Sequence, residues 1–177
     1  NRWDKLNDIM ADAGKSLELA GATCILICAN TMHLTIDAVR EVVNIPVIHI
    51  AEATAEIIIE KKLKTVALLG TKYTMEKNFY IDVLRSFGIK TIVPNLEDRN
   101  KVHRIIYDEL SKGVLNDASK HVYLKIIKKL IKEGAEGVIL GCTEIPLLIK
   151  QTDVSVPVFD TTMIHATKSF MEALKYK

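Results

Sequence analysis

Two short polar segments combine the residue types that bind carboxylates and transfer protons. They are residues 29–31, with the sequence Ala-Asn-Thr, and residues 142–144, with the sequence Cys-Thr-Glu, and each directly follows an apolar run. A thiol can take up and return a proton, while hydroxyl groups and the free backbone amides of a helix N-terminus bind an anion. Because a helix N-terminus also lowers the pKa of a thiol, the sequence predicts a carboxylate-binding cleft with a reactive thiol at Cys142.

Short β-branched, apolar runs alternate with amphipathic stretches along the chain, and this alternation indicates a parallel α/β sheet. The predicted strands are residues 24–28, 46–49, 66–69, 90–93, 137–140 and 157–159. The predicted helices are residues 4–19, 34–43, 52–61, 75–87, 100–111, 118–132 and 162–174. Since ligands of such sheets bind beyond the carboxyl ends of the strands, both polar segments are expected at one edge.

The chain contains an internal repeat. Residues 21–31 align without gaps on residues 134–144; each copy follows a predicted helix and precedes a strand that opens with proline, Pro46 or Pro157. Any two α/β units can share some of these features by chance, but the matching second strands favour a duplicated design. We therefore expect two α/β lobes related by a pseudo-twofold axis, with the active site between them. Residues 1–60 plus 158–177 would form the first lobe, and residues 61–157 the second.

The composition argues against several other classes of protein. The 177 residues carry a net charge of +2, with basic residues scattered among acidic ones, whereas nucleic-acid binding needs a concentrated basic face. No apolar run approaches the roughly 18 residues of a membrane span. The three cysteines lack the spacing of metal ligands and suit a reducing compartment. We expect a cytoplasmic protein without a metal, a membrane or a nucleic acid as partner.

Five segments resemble the signatures of aspartate/glutamate racemases. They are residues 28–33 (CANTMH), 69–75 (LGTKYTM), 140–146 (LGCTEIP), 158–161 (VFDT) and 164–165 (IH), and together they extend over essentially the whole chain. The resemblance implies inversion at the α-carbon of an acidic amino acid without pyridoxal phosphate or another cofactor. It implies an amino acid or dicarboxylate as the ligand and a homodimer as the assembly. It also implies that the chain lacks the family's N-terminal strand and Gly-rich loop.

The resemblance assigns roles to individual residues. The family usually places two cysteines on opposite faces of the α-carbon, one from each half, and Cys142 matches the second of them. Glu144 matches an acidic residue that orients or tunes this thiol, and Lys112 lies where aspartate-specific relatives place a lysine on the distal carboxylate. The residues that match a binding site for the α-carboxylate are Asn30, Thr31, Thr71 and Thr143.

Each of these assignments has a purely structural alternative. A buried free cysteine is a common core residue, and an acidic residue in a first helical turn stabilises the helix dipole without catalysis. Turn and capping preferences explain asparagine and threonine at these places. A lysine in a last helical turn before glycine is equally ordinary.

The first thiol of the family pattern is replaced. Ala29 stands directly before Asn30 and Thr31, where the family has its first cysteine, and the internal repeat aligns Ala29 with Cys142 and Cys28 with Gly141. Because successive residues of a strand point to opposite faces, Cys28 is expected to point away from the substrate. Three interpretations remain open: a natural one-thiol variant, a deliberate cysteine-to-alanine substitution, or a Cys28 that reaches the cleft where the strand ends.

The sequence therefore leaves three functional hypotheses. The first is a racemase of acidic amino acids that uses thiol acid/base chemistry and is impaired by Ala29. The second is a one-thiol decarboxylase of the same superfamily, and the third is a carboxylate-binding homologue without turnover.

Overall fold

The computed structural model of the chain describes residues 2–176, which form an α/β protein with parallel strands flanked by helices. The strands are β1 (Ile25–Leu26), β2 (Val47–Ile48), β3 (Thr65–Gly70), β4 (Lys90–Ile92), β5 (Gly137–Gly141) and β6 (Val158–Asp160). The α-helices are α1 (Trp3–Leu19), α2 (Ile36–Arg40), α3 (Ile50–Glu60), α4 (Lys72–Glu76), α5 (Asn78–Ser86), α6 (Leu96–Asp108), α7 (Asp117–Lys132), α8 (Ile145–Leu148) and α9 (Thr161–Ala173). None of the helices within residues 2–176 combines the length and apolarity needed to cross a bilayer.

The strands form two parallel sheets, as the alternating sequence pattern predicted. One sheet pairs β1 with β2, and the other has the order β4-β3-β5-β6. The central strands β3 and β5 are almost entirely buried, which explains their continuous apolar sequences. Helices on both sides cover them: Leu69 and Leu140 pack in a core with α6 and α7, whereas Leu68 and Ile139 pack in a core with α3 and α5.

The internal repeat is reproduced at the level of individual hydrogen bonds. At the end of α1 the amide of Ala22 donates to Leu17 O at 3.0 Å, and at the end of α7 the amide of Ala135 donates to Leu130 O, also at 3.0 Å. The preceding glycine of each copy, Gly21 or Gly134, has a positive φ, of 91° and 102° respectively. The first strands also pair in the same register with the strands that follow proline, β1 with β2 and β5 with β6. The two halves therefore share one local design.

The predicted lobe boundaries, residues 1–60 plus 158–177 and residues 61–157, stay a prediction. Two connections cross these boundaries in the structure. Strand β6 pairs with β5 and so joins the four-stranded sheet. Helix α3 packs in the same core as β3, through residues that include Ile58. The part that lies apart from the four-stranded sheet is consequently the β1–β2 pair with α1 and α2, which encloses a small core of its own.

Several helices begin or end away from their predicted positions because local caps decide their ends. Helix α3 begins at Ile50 because the Nδ1 atom of His49 accepts from the amide of Ala51 at 3.0 Å, an unusual capping residue. Helix α6 begins at Leu96 because Asn95 caps it. The predicted helix 75–87 is divided into α4 and α5 at Lys77, whose backbone is extended.

Candidate functional site

A cavity of about 200 Å³ opens at the carboxyl ends of β3 and β5, beside the segment that follows β1. The sequence-predicted residues that line it are Ala29, Asn30, Thr31, Thr71, Cys142, Thr143 and Glu144. The other lining residues are Ile106, Tyr107, Ser111 and Gly141. The structure thus brings both polar repeat segments to one cavity, as expected for the strand ends of an α/β protein.

The side chains of Cys142 and Glu144 are hydrogen-bonded to each other in this cavity. The thiol of Cys142 is 8% exposed and its Sγ atom donates to Glu144 Oε2 at 2.9 Å. Burial, together with the hydrogen bond and negative charge of Glu144, raises the pKa of Cys142 to about 12. Burial also acts to raise the pKa of Glu144, but hydrogen bonds from Cys142 and Thr143 outweigh it and lower that pKa on balance. The resting pair is therefore a protonated thiol and an ionised carboxylate.

The expectation that a helix N-terminus lowers the pKa of the Cys142 thiol is wrong, because this pKa is raised. The helix that follows Cys142 is α8, which spans only Ile145–Leu148. The backbone amides of Thr143 and Glu144 do lower the pKa of the thiol, but their effect is smaller than those of burial and of the Glu144 carboxylate. The partly buried Glu144 carboxylate beside the thiol disfavours the thiolate, since two negative charges would meet.

Ala29 and Cys28 occupy different surroundings. Ala29 lines the cavity, whereas Cys28 is exposed and is not among the lining residues. The amide of Ala29 donates to Ile27 O at 2.8 Å, which turns the chain tightly around Cys28 just beyond β1. The wall that contains Ala29 therefore presents a methyl group where the aligned position of the other repeat presents a thiol.

Asn30 connects this wall to α9. Its Nδ2 atom donates to Thr161 Oγ1 at 3.1 Å, and the Thr161 hydroxyl donates in turn to Leu140 O at 2.9 Å. Asn30 is only 4% exposed, and its Oδ1 atom is buried without a hydrogen-bond partner among residues 2–176. A buried acceptor of this kind is costly unless a ligand satisfies it.

Three threonine hydroxyls join the first repeat segment to the start of α4. Thr31 Oγ1 lies 3.0 Å from Thr71 Oγ1 and 3.4 Å from Thr74 Oγ1, and the last two hydroxyls are 3.3 Å apart. Thr71 also caps α4 by accepting from the amide of Thr74. Thr31 and Thr71 line the cavity, so threonines from two different elements contribute to the same wall.

Lys112 is not among the residues that line the cavity. It is exposed and lies in the 3-10 turn Leu110–Lys112, whereas its neighbour Ser111 and the helical residues Ile106 and Tyr107 form that wall. Tyr107 and Ser111 are four residues apart within the predicted helix 100–111, a spacing that places two residues on one face of a helix. Nothing in the sequence indicated that this face would meet the cavity, since the packing of α6 decides it.

Three buried histidines form a cluster behind the Ala29 segment. The ring of His33 lies 4.8 Å from that of His49 and 5.5 Å from that of His165, measured between centroids. Each ring has at least one nitrogen that is hydrogen-bonded to a backbone group. Within residues 2–176, no group of three or more His, Cys, Asp or Glu side chains has an arrangement that suits a metal ion.

Comparisons with known proteins give a consistent relationship. The sequence model of the Asp/Glu/Hydantoin racemase family matches residues 1–168. A glutamate racemase of Sulfurihydrogenibium sp. (strain YO3AOP1) is 29% identical over 126 residues, which are 70% of this chain and 46% of that protein. The chain spans about half the length of the curated relatives it matches first.

Solved structures share the fold. An aspartate racemase homologue from Pyrococcus horikoshii OT3 is 46% identical with a TM-score of 0.88, and the match covers 97% of this chain and 76% of that one. Glutamate racemase from Francisella tularensis subsp. tularensis SCHU S4, solved in complex with D-glutamate, is 19% identical with a TM-score of 0.76. That match covers 99% of this chain and 66% of the other, and it concerns the fold alone.

Proposed function

The chain belongs to the Asp/Glu/Hydantoin racemase family, and from this premise we propose that it carries a cofactor-independent amino-acid racemase site whose acid/base thiol is Cys142. The observation that carries the proposal is the hydrogen bond from Cys142 to the Glu144 carboxylate at 2.9 Å, inside the cavity that both repeat segments line. A thiol held by a carboxylate next to hydroxyl and amide donors has the groups that proton transfer at an α-carbon requires.

The polar residues that line the cavity suit the two charged groups of an amino acid, its α-carboxylate and its α-ammonium group. The hydroxyls of Thr31 and Thr71, with the backbone amide of Thr143, would bind the α-carboxylate, since the Thr143 hydroxyl already donates to Glu144. The Oδ1 atom of Asn30 has no partner among residues 2–176 and is buried, so it would accept a hydrogen bond from the α-ammonium group only after a small movement of the Asn30 side chain into the cavity. Such contacts hold the α-carbon beside Cys142 and stabilise the charge that develops when its proton leaves.

Cys142 is protonated at neutral pH, so its thiol can give a proton directly. To act as a base it must first lose this proton and form the thiolate. With a pKa of about 12, forming the thiolate at pH 7 costs about 7 kcal/mol, at about 1.4 kcal/mol for each pKa unit. A bound ammonium group close to Glu144 offsets part of this cost, because its positive charge compensates the carboxylate. Binding of the substrate would therefore activate Cys142 as a base.

Because of Ala29, only one face of the α-carbon would have an acid/base group beside it. A methyl group can neither take up nor give a proton, so the face of the α-carbon opposite Cys142 would lack its acid/base group. Cys142 can remove the α-proton of one enantiomer and return a proton to the same face, which exchanges the proton without inversion. General acid–base catalysis typically contributes about 10²–10⁴-fold, and inversion should be impaired by a factor of this size.

The remaining expectations stand as part of this proposal. The named activities of the relatives support an acidic amino acid, aspartate or glutamate, as the substrate. A role for Lys112 on the distal carboxylate stays a prediction, as do the homodimer and the cytoplasmic location. The role of Glu144 in tuning the thiol is supported by its effect on the pKa of Cys142.

Solvent-deuterium exchange with Ala29→Cys as the informative variant tests the proposal. In D₂O the wild-type chain should exchange the α-proton of one enantiomer of aspartate or glutamate with little inversion, measured by ¹H NMR and chiral chromatography. The Ala29→Cys variant should invert that amino acid, while Cys28→Ser, which removes the exposed thiol, should behave as the wild type. The proposal fails if Ala29→Cys gains no inversion although the variant is folded and still exchanges.

The same single thiol also supports a second candidate, a decarboxylase. Loss of CO₂ from a substrate with a carboxylate on the reacting carbon leaves a carbanion, and Cys142 could protonate it from one side without having to act as a base. Release of CO₂ from such a substrate, without exchange at the α-carbon of aspartate or glutamate, would favour this candidate. Binding of dicarboxylates with neither reaction would indicate a homologue without turnover.

A further inference from the structure

His33 lies behind the cavity and makes two hydrogen bonds that fix its protonation state. It is 1% exposed; its Nε2 atom accepts from the amide of Ile50 at 3.1 Å, and its Nδ1 atom lies 3.0 Å from Ala29 O. A backbone amide can only donate and a carbonyl can only accept. The proton of the ring must therefore be on Nδ1, and His33 is a neutral imidazole with both nitrogens in use.

These bonds connect the cavity wall to α3 through one rigid ring. Ala29 O belongs to the peptide between Ala29 and Asn30, and both residues line the cavity. In a planar trans peptide the carbonyl and the amide point in opposite directions. When His33 binds the carbonyl of this peptide, the amide of Asn30 is directed away from the histidine cluster and its orientation is fixed.

The surroundings of His33 keep the ring neutral and in place. It is buried between His49, which caps α3, and His165 of α9, whose Nε2 atom donates to Ile48 O at 2.8 Å. Burial, and then the neighbouring His49, lower the pKa of His33 to about 3, with a smaller contribution from His165. At neutral pH His33 therefore acts as a fixed donor and acceptor.

We propose that His33 is a positioning residue for the candidate site: its neutral Nδ1–H tautomer holds the carbonyl of Ala29 and so fixes the cavity wall that faces the substrate. It touches neither the substrate nor Cys142 and acts through the backbone of Ala29 and Asn30. The inference rests on the proposed function for its kinetic test, whereas its structural test is independent of activity.

The structural test is NMR spectroscopy of the full chain at pH 7. Long-range ¹H–¹⁵N correlations should assign the Nδ1–H tautomer to His33. The backbone amide signal of Asn30 should shift in His33→Ala and remain near its wild-type position in His33→Gln, because glutamine offers both a donor and an acceptor. The Nε2–H tautomer, or an Asn30 amide that is insensitive to His33→Ala, would overturn the inference.

The kinetic test compares α-proton exchange in the same variants. His33→Ala should reduce the exchange rate on the order of 10²-fold, the effect of misplacing a wall by about 1 Å, and His33→Gln should restore most of the rate. His121→Gln is the matched control, because exposed His121 makes the same type of bond, from Nδ1 to the carbonyl of Asp117 four residues earlier. Equal rates in folded His33→Ala and the wild type would contradict the inference.

The two tests separate the inference from the proposed function. A wild-type chain that exchanges no amino acid would refute the racemase proposal, and the NMR results would then decide the inference alone. If His33→Ala does not fold, His33→Gln carries both tests: retained exchange with an unshifted Asn30 amide supports the inference. Loss of exchange in folded His33→Gln with that amide unshifted would overturn it.

Discussion

Replacing Glu144 with glutamine should make the Cys142 thiol more acidic. The substitution keeps the size of the side chain and removes its negative charge, so burial of Cys142 changes little. In the native site the carboxylate accepts the hydrogen of Sγ at 2.9 Å and repels a thiolate. The new amide could instead donate a hydrogen bond to the thiolate, which favours the ionised form.

The structure sets the size of the effect. The pKa of Cys142 rises from 9.0 to about 12; burial is the largest cause, and the hydrogen bond and charge of Glu144 come second and third. A charge in contact with a titrating group typically changes its pKa on the order of one to two units, which corresponds to about 1.4–2.7 kcal/mol. The thiolate fraction of Cys142 at pH 8 should therefore rise about 10–100-fold in Glu144→Gln.

The rate of alkylation of Cys142 by iodoacetamide measures this change directly, because the thiolate is the nucleophile. Peptide mass spectrometry separates Cys142 from the exposed Cys28, and the ratio of the Glu144→Gln rate to the wild-type rate between pH 7 and 10 gives the ratio of the thiolate fractions, and from it the difference in pKa. Glu97→Gln is the control, since this glutamate pairs with Lys101 on the surface and its side chain is 78% exposed. An unchanged or higher pKa of Cys142 in Glu144→Gln would refute the assigned role of Glu144.

Three further predictions concern stability, measured by urea unfolding. The pKa values of His33 (about 3) and His49 (about 4) lie below the ordinary 6.5. As the pH falls below 6.5, these histidines therefore take up protons in the unfolded chain before they do so in the folded one. Between pH 7 and pH 5 the free energy of unfolding should decrease by about 2 kcal/mol per histidine. Equal free energies of unfolding at the two pH values would contradict this. Gly70→Ala should cost about 1–3 kcal/mol, because a Cβ atom would lie 2.7 Å from Gly141 O; a change below about 0.5 kcal/mol would show that the strands can separate. Thr161→Val should cost about 1–3 kcal/mol by removing the hydroxyl that bonds Asn30 and Leu140, whereas Thr161→Ser should retain most of the stability.

The strands and the repeat could be predicted from the sequence because both depend on local patterns. A strand that is buried on both faces must be apolar throughout, as β3 and β5 are, and Gly21 and Gly134 occupy positive-φ positions that favour glycine. Helix ends were less predictable. The beginning of α3 depends on a histidine cap at His49, a residue type that gives no capping signal in the sequence.

The site residues that the repeat places at strand ends could be predicted from the sequence. The residues whose position depends on how the helices pack could not. Seven of the predicted residues line the cavity, whereas Lys112 lies outside it and Tyr107 was missed. The pKa of Cys142 was predicted in the wrong direction, because the sequence shows a helix start after the thiol but neither its burial nor the distance to Glu144. The hydrogen bonds of His33 join residues 4 and 17 positions apart, and only the folded backbone reveals them.

The most direct test of the central claim, that Cys142 is the single acid/base thiol, is ¹H NMR of α-proton exchange in D₂O. L- and D-aspartate and L- and D-glutamate are incubated with the wild-type chain, Cys142→Ser and Cys28→Ser at the same concentration. We predict exchange of one enantiomer by the wild type and by Cys28→Ser, and none by Cys142→Ser. Exchange that persists in Cys142→Ser, or that disappears in folded Cys28→Ser, would contradict the assignment of Cys142.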